Sequence, residues 1–255
     1  AAAVILDRFR LDDRVAIVTG AGLGIGRGIA IGLAEAGADV VLAARTASDL
    51  EEVAFRVREA GRRALVVPTD VTVEADLERL VATTVERFGR LDAVVNNAGG
   101  AMPRAALDTS EGFLERTFHF NVTAPFTLTK LAARAIVDTV GHGAVVNISS
   151  RSASMTQTGF VAYGTAKAAL DRLTRNMAPE LAPRVRLNAI DVGGVATRSL
   201  EVVLTDDALR AQFEAGTPMR RPGEPEDIAC AVLYLVSDAS SWVRSEEHTS
   251  ELQSH

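Results

Sequence analysis

Short apolar runs rich in Val, Ile and Ala alternate along the chain with longer amphipathic segments. The runs read as near-continuous apolar stretches, as strands buried on both faces do. They cover residues 15–19, 40–43, 65–67, 93–95, 144–148 and 186–190. Between them, apolar residues recur at helical spacing over 50–57 and 77–88, each followed by a glycine suited to ending a helix. The repeated order of strand, helix and parallel strand predicts one α/β domain, a doubly wound parallel β-sheet with helices on both faces.

Composition narrows the class of protein. The 255 residues include 27 basic and 33 acidic side chains, a net charge of −6, with no basic run to attract nucleic acid. No apolar run reaches the 18 or so residues of a membrane helix. The single cysteine, Cys230, excludes an internal disulfide, fits a reducing compartment, and is expected to be a buried small hydrophobe. We therefore expect a cytoplasmic protein that binds neither nucleic acid nor membranes. His119 and His142 lack neighbouring ligands, so we expect no metal site.

The last residues differ from the rest of the chain. Residues 244–255 read RSEEHTSELQSH, have no apolar periodicity, and resemble the translation of a sequencing adapter. We interpret them as a non-native tail, the alternative being a genuine polar tail, and exclude them from the fold.

A glycine-rich turn follows the first predicted strand. Gly20, Gly24 and Gly26 stand in the stretch TGAGLGIG over residues 19–26, and a helix follows at once. Glycines allow a tight turn and a close approach of backbone N–H groups to a pyrophosphate, and the helix N-terminus adds positive potential. Alone, the pattern also fits an ordinary turn. Its position before a helix favours dinucleotide binding.

Five motifs together resemble the short-chain dehydrogenase/reductase family. TGAGLGIG matches the family's TGxxxGxG turn, residues 96–99 its NNAG stretch, and Asn121 with Val122 its helix asparagine. Ser150 stands 13 residues before Tyr163, which begins the YxxxK motif YGTAK. The resemblance runs from about residue 9 to 243, so we expect a single Rossmann-type domain over 1–243. It implies an NAD(P)(H)-dependent oxidoreductase that interconverts a ketone and a secondary alcohol.

The YxxxK residues suit acid–base chemistry. Tyr163 and Lys167 are four residues apart and share one helix face. A free tyrosine has a pKa of about 10, which a nearby ammonium and an oxidised nicotinamide would lower, so we expect Tyr163 to be the catalytic acid/base. Ser150 can polarise the same substrate oxygen. Its neighbour Ser149 stands 14 residues before Tyr163, one more than the family spacing, so we do not expect it to be the catalytic serine. The resemblance implies that Lys167 also holds the nicotinamide ribose and that Asn121 binds a water; alternatively, Asn121 is a helix N-cap.

The residues just after the second predicted strand indicate which nicotinamide cofactor binds. Ala44 stands where NAD-dependent relatives tend to have Asp, and Arg45 follows it, so a 2′-phosphate could be held. Leu23 opposes this interpretation, because many NADP-using relatives carry Arg or Lys there. We favour NADP(H) over NAD(H). Asp70 matches the residue that bonds the adenine amino group, or else it caps the next helix.

The resemblance implies further residues of the cofactor site, and the chain departs from the family pattern at one position nearby. The further residues implied are Ile25, Val71, Asn97, Ala98, Gly99, Val195 and Thr197. Val192 replaces the proline usual in the family's N-x-I-x-P-G segment, which frees a backbone N–H, so we expect some difference in that loop.

The substrate region is a variable lid over residues 198–216. Apolar residues in the lid, with Met102, Met155 and Phe160 near the catalytic centre, predict a hydrophobic ketone or alcohol, hydroxysteroid-like or 3-oxoacyl-like, rather than a sugar. The alternative is that these side chains only pack the lid and core.

An acyl-carrier-protein thioester would need a basic patch, for which Arg134 is one candidate. Arg172 could extend that basic patch, although Pro179 is expected to interrupt the helix there.

Two other hypotheses remain open at the level of sequence. The chain could be a dinucleotide-binding sensor without turnover, although the intact Ser150, Tyr163 and Lys167 argue against this. Finally, family members usually continue past 243 into a last edge strand that supports an oligomer, usually a tetramer. We therefore expect a homo-oligomer. If residues 244–255 are non-native, we expect the last edge strand to be missing and this chain to be a truncated, inactive protein.

Overall fold

Six parallel strands form one sheet in the order β3-β2-β1-β4-β5-β6. This computed structural model describes residues 4–197, 200 and 204–244. The strands match the six apolar runs, most of them extended by one or two residues at an end. They are β1 Val15–Thr19, β2 Asp39–Ala44, β3 Ala64–Pro68, β4 Ala93–Asn96, β5 Gly143–Ser150 and β6 Val185–Val192. The predicted doubly wound α/β fold is confirmed.

Eight α-helices connect and cover the strands in the described part of the chain. They are α1 Gly24–Glu35, α2 Ala47–Glu59, α3 Glu74–Phe88, α4 Glu111–Phe118, α5 Ala124–Thr139, α6 Val161–Leu181, α7 Asp207–Gly216 and α8 Pro225–Val236. A π-helical turn, His119–Thr123, joins α4 to α5. Gly89 ends α3 in the left-handed region with a φ of 72°, where a residue without Cβ is favoured.

Both faces of the sheet are buried, which explains why its strands lack a polar face. Along β1, Ala16 and Val18 pack with α1, α2 and α8, whereas Val15 and Ile17 pack on the opposite face with α3 and α5. Successive side chains of a strand point to opposite faces. With helices on both sides, every position of β1 is therefore apolar or buried.

Two expectations about helices are wrong. Cys230 is exposed, because the buried face of α8 is formed by Ala229, Val232 and Val236, and Cys230 points away from it. Helix α6 is not interrupted at Pro179, but continues to Leu181. A proline removes one backbone hydrogen bond, and the contacts of the buried Ala178 keep this turn on the sheet.

Strands β3 and β6 are the edges of the sheet among the described residues. The segment after α8 lies beside β6, where the Arg186 guanidinium donates to the Leu235 carbonyl oxygen at 2.9 Å and to Ser240 Oγ at 2.8 Å. The expected non-native tail and missing edge strand concern residues beyond 244, outside the described residues, and stay predictions. No helix within the described ranges is long and apolar enough to span a bilayer.

A buried chain of polar side chains links the centre of the sheet to the helices on one face. Asn96 Nδ2 donates to Asn147 Oδ1 at 2.8 Å and to Thr129 Oγ1 at 3.0 Å, and Asn147 Nδ2 donates to Thr174 Oγ1 at 2.8 Å. All four residues are at most 4% exposed. Strands β4 and β5 are thus joined to α5 and α6 by buried side chains. If one of these hydrogen bonds were lost, no water could take the place of the missing partner.

We expect Asn147→Ala to lower the free energy of unfolding by about 2 kcal/mol, because it removes one hydrogen bond donated by the buried Asn96 Nδ2 and one accepted by the buried Thr174 Oγ1. Urea denaturation followed by circular dichroism measures the change. Asn176→Ala, on the exposed face of α6, is the control. A loss no larger than that of the control would contradict the role of the buried chain.

Candidate active site

The glycine turn after β1 is shaped by the absence of side chains. Gly20 and Gly24 have φ values of 63° and 53°, in the left-handed region that favours glycine. A Cβ on Gly26 would collide with the Gly20 carbonyl oxygen and lie 2.5 Å from Asn97 Nδ2. Leu23, the N-cap of α1, makes no side-chain cap hydrogen bond. The turn therefore directs the start of α1 at the space above the sheet.

The loop after β4 is bound to this turn. Asn97 Nδ2 donates to the Thr19 carbonyl oxygen at 2.9 Å, and Thr19 Oγ1 accepts from the backbone N–H groups of Asn97 and Ala98, both at 3.0 Å. The two motifs, 78 residues apart at Thr19 and Asn97, thus form one unit at the carboxyl edge of the sheet. Ligands of open α/β sheets bind at this edge.

A cavity of about 1010 Å³ opens in front of this unit. Seven predicted cofactor residues line it: Gly20, Arg45, Asp70, Val71, Asn97, Ala98 and Gly99. Of the others, Gly24 and Gly26 shape the turn, and Ile25 packs against the core. Further lining residues are marked by no motif and were not predicted, including Asp49, Thr72, Arg116 and His119.

Asp70 is held in one orientation at the cavity. Its Oδ1 accepts from the Thr72 N–H at 2.9 Å and from Thr72 Oγ1 at 2.7 Å. These hydrogen bonds, and more weakly the charge of Arg45, hold the pKa of the Asp70 carboxyl below its usual value. The alternative role as a helix cap is wrong, because the N-cap of α3 is Val73.

Lys167 is buried where α6 crosses β5. It is 4% exposed, and its Nζ donates to the Ile148 carbonyl oxygen at 2.8 Å. Burial lowers the pKa of Lys167 to about 8, because desolvation disfavours the ammonium form. The sequence predicted that Lys167 shares a helix face with Tyr163, and Nζ lies 5.7 Å from the centre of that ring.

Tyr163 lies beside Ser150, the last residue of β5. Burial raises the pKa of Tyr163, and a hydrogen bond with the Ser150 side chain acts in the opposite direction. The lowering expected from the sequence includes the effect of a bound oxidised nicotinamide and stays a prediction. Desolvation is an opposing effect that no motif indicates. The structure nevertheless brings the three predicted residues Ser150, Tyr163 and Lys167 together.

Asn121 joins this cluster from the π-helical turn. Its Nδ2 donates to the carbonyl oxygens of Gly100 at 3.0 Å and Thr117 at 2.9 Å, and its Oδ1 accepts from the Gly100 N–H at 2.9 Å. The alternative of an N-cap is wrong, because Asn121 lies within the turn and is fully buried. A Cβ on Gly99 would be 2.9 Å from Asn121 Oδ1 and 3.1 Å from Lys167 Nζ, so glycine is required there.

The loop after β6 reaches the glycine turn. A Cβ on Gly24 would lie 3.1 Å from the Thr197 methyl group, and Val195 forms a parallel bridge with Gly223. Val192, which replaces the usual proline, is the last residue of β6 and pairs with Ser150; the expected difference in the loop that follows stays a prediction. Lid residues 198–199 and 201–203 lie outside the described residues.

Apolar side chains surround the catalytic cluster. The Phe160 ring meets Tyr163 edge-on, with 6.0 Å between the ring centres. Met102 is 76% exposed and lies two residues before Arg104, which forms a bridge with Phe160, and Met155 is 50% exposed. Exposed apolar side chains near a polar centre are typical of a surface that binds apolar molecules.

Comparison with known proteins gives the family. The family model described as enoyl-(acyl carrier protein) reductase matches residues 20–251. An uncharacterized oxidoreductase of Mycobacterium tuberculosis is 49% identical over 94% of this chain and 91% of its own. The 7α-hydroxysteroid dehydrogenase of Escherichia coli strain K12 is 37% identical over 93% and 92%. The chain belongs to the short-chain dehydrogenase/reductase family.

A solved structure of a family member agrees with this assignment. A 7α-hydroxysteroid dehydrogenase complexed with NADH and 7-oxo glycochenodeoxycholic acid has a TM-score of 0.89 at 36% identity, covering 94% of this chain and 93% of that one. This short-chain dehydrogenase/reductase is an NAD(P)(H)-dependent oxidoreductase that interconverts a ketone and a secondary alcohol, acting on CH–OH donors. The sensor without turnover is therefore not favoured.

The residues present fit a dinucleotide. Leu23, at the start of α1, has no side-chain cap and lines a cavity of dinucleotide size, as do Gly20 and Asn97, with which a Cβ on Gly26 would collide. The cavity ends near Gly99, which is in contact range of Lys167. A cofactor held along it would reach from Arg45 to the catalytic cluster.

We expect Gly26→Ala to weaken binding of NADPH and NADH about tenfold or more, a free-energy loss of about 1.4 kcal/mol, since the new methyl group would displace Gly20 and Asn97. Quenching of protein fluorescence or isothermal titration calorimetry measures the dissociation constant. Gly216→Ala is the control, because a Cβ there meets no atom within 4 Å. Unchanged affinity in Gly26→Ala would contradict the assignment of the turn.

Proposed function

We propose that Ser150, Tyr163 and Lys167 carry out the ketone–alcohol interconversion, with Tyr163 as the acid/base. The observation that carries this proposal is that the three side chains meet at the carboxyl edge of the sheet, beside the cavity. Tyr163 interacts with the Ser150 side chain, and Lys167 Nζ lies 5.7 Å from the Tyr163 ring. The described centre has no group of three or more metal-ligating side chains, and we propose a mechanism based on protein side chains.

In the reductive direction, the Tyr163 hydroxyl gives its proton to the substrate oxygen, while Ser150 Oγ donates a hydrogen bond to the same atom. The two donors stabilise the negative charge that develops on that oxygen. When bound, the nicotinamide supplies or accepts the hydride. The ammonium of Lys167 stabilises the Tyr163 phenolate left behind and holds the ribose hydroxyls.

Asn121 has a second role in this proposal. Its side chain shapes the backbone at Gly100 and lies next to Lys167 across Gly99. From there it can hold a water that carries the proton from Lys167 towards solvent. The oxidative direction uses the same groups with each proton transfer reversed.

We propose an apolar cyclic substrate of the hydroxysteroid kind. The support is the exposed methionines Met102 and Met155 and the Phe160 ring that meets Tyr163, together with the hydroxysteroid relatives. An acyl-carrier-protein thioester has less support, because Arg134 and Arg172, although exposed, lie on the separate helices α5 and α6.

We propose NADP(H) as the preferred cofactor, supported by Arg45. It lines the cavity beside Ala44, where no carboxylate would repel a 2′-phosphate. NAD(H) is the second candidate. Asp49, near Gly22 at the same end of the cavity, favours it, as does a related structure that contains NADH.

We further propose that the protein is a homo-oligomer of the cytoplasm. Large apolar side chains exposed on the described surface support self-association, among them Phe126 on α5, Tyr234 on α8 and Trp242. The free thiol of Cys230 fits a reducing compartment.

We expect Tyr163→Phe to lower kcat/KM by about 10²–10⁴-fold, with the dissociation constant for NADPH unchanged, because only the proton donor is removed. Cofactor oxidation is followed at 340 nm with a panel of a 7-oxo steroid, a 3-oxoacyl thioester and a sugar. The chain has one other tyrosine, Tyr234, and Tyr234→Phe is the control. Full turnover in Tyr163→Phe would overturn the mechanism, and a preference for the sugar would overturn the substrate class.

We expect Arg45→Ala to weaken NADPH binding about tenfold or more, as the loss of a charge-assisted hydrogen bond does, and to change NADH binding less than twofold. Thermal unfolding with each cofactor, followed by titration, measures both. Arg58→Ala, on the exposed face of α2, controls for the loss of one positive charge. Equal effects on the two cofactors would favour NAD(H).

A further inference from the structure

Two carboxyl groups lie next to the buried lysine, at positions that no motif of the site specifies. Asp171 is one turn beyond Lys167 on α6, and Asp191 is the penultimate residue of β6. Asp191 pairs in register with Ser149 of β5, so both side chains leave the same face of the sheet. That face is the one covered by α6, because Ser149 Oγ lies 3.5 Å from the Lys167 carbonyl oxygen.

Asp171 is poorly solvated. Its Oδ1 is buried and has no hydrogen-bond partner among the described residues. Burial and the facing carboxyl group of Asp191 raise the pKa of Asp171 to about 6, although the Ser149 hydroxyl and the charge of Arg175 act in the opposite direction. Two carboxyl groups this close disfavour double ionisation. Asp171 therefore keeps its proton to a higher pH than a free aspartate does.

The same two carboxylates act on Lys167. Burial lowers its pKa to about 8, and the charges of Asp171 and Asp191 both raise it. The other titratable group beside the ammonium is Tyr163. Where they are ionised, the two carboxyl groups thus offset part of the cost of burying the ammonium. Without them, Lys167 would lose its proton at a lower pH.

We propose that Asp171 and Asp191 form a positioning pair that keeps Lys167 charged and holds it against the end of β5. Ser149 connects the pair to β5, since its hydroxyl can donate to the Asp171 carboxylate or to the Lys167 carbonyl oxygen. The inference rests on the proposed function in one respect, that a charged Lys167 supports Tyr163. The pair acts through Lys167 and touches no reacting atom.

The sequence offers a direct test, because Lys130 and Lys167 are its only lysines. Protein labelled with ¹³C at the lysine ε-carbon gives two NMR signals, which Lys130→Arg assigns. We expect Asp171→Asn and Asp191→Asn each to lower the titration midpoint of Lys167 by about half a pH unit or more. The midpoint of Lys130 should not move. Glu180→Gln removes a carboxylate from the exposed face of α6 and should move neither.

An unchanged Lys167 midpoint in both Asn variants would overturn the proposal, as would an equal shift in Glu180→Gln. If Asp171→Asn does not fold, Asp191→Asn decides, since Asp191 is exposed. In the enzyme, the decline of ketone reduction with rising pH should begin at a pH lower by the same amount. The NMR titration needs no substrate, so a failure to find turnover would count against the proposed function and leave this result standing.

Discussion

The burial of one ammonium group constrains the whole catalytic end of this protein. Lys167 has almost no access to water, and a charge in such a place must find its partners within the protein. Its bond to the Ile148 carbonyl oxygen fixes α6 against the end of β5. Tyr163, one turn earlier on the same helix, is thereby held next to Ser150, the residue in which β5 ends.

The loops around the site follow from the same constraint. Lys167 and Asn121 approach the backbone at Gly99 so closely that a side chain there has no room. Asn121 reaches this point because the helix widens into a π-helical turn at His119–Thr123. The residues just before Gly99 are bound to Thr19, at the start of the glycine turn. The segments proposed to carry out catalysis and to bind the nucleotide are therefore parts of one hydrogen-bonded unit.

Burial changes the pKa values of several groups within this unit, raising those of the acids and lowering that of the lysine. Burial favours the neutral form of Lys167, of Tyr163 and of Asp171 alike. Their mutual charges favour the ionised forms of the lysine and the tyrosine. The balance leaves the lysine, and the carboxyl pair beside it, with pKa values on either side of neutrality. Groups poised in this way change charge within the range where acid–base catalysis operates.

Much of this could be predicted from the sequence, because periodicity and spacing are local. Apolar runs buried on both faces predicted all six strands, and a spacing of four on one helix predicted that Tyr163 and Lys167 lie together. Desolvation could not be predicted from the sequence, so the motifs do not indicate that burial opposes the lowering of the Tyr163 pKa. The predicted burial of Cys230 was wrong, because the rotation of α8 turns this residue away from the core. Asp49, Arg116 and His119 reach the cavity only through the placement of their helices.

Asp171 and Asp191 show the same division most clearly. They are 20 residues apart, and neither stands at a position that a motif specifies. The pairing register of β5 and β6 and the rotation of α6 bring them together. The sequence by itself determined the elements, their order and the chemistry of the catalytic residues. Only the tertiary structure decided which charges face one another and which groups lose their water, because both depend on packing between distant segments.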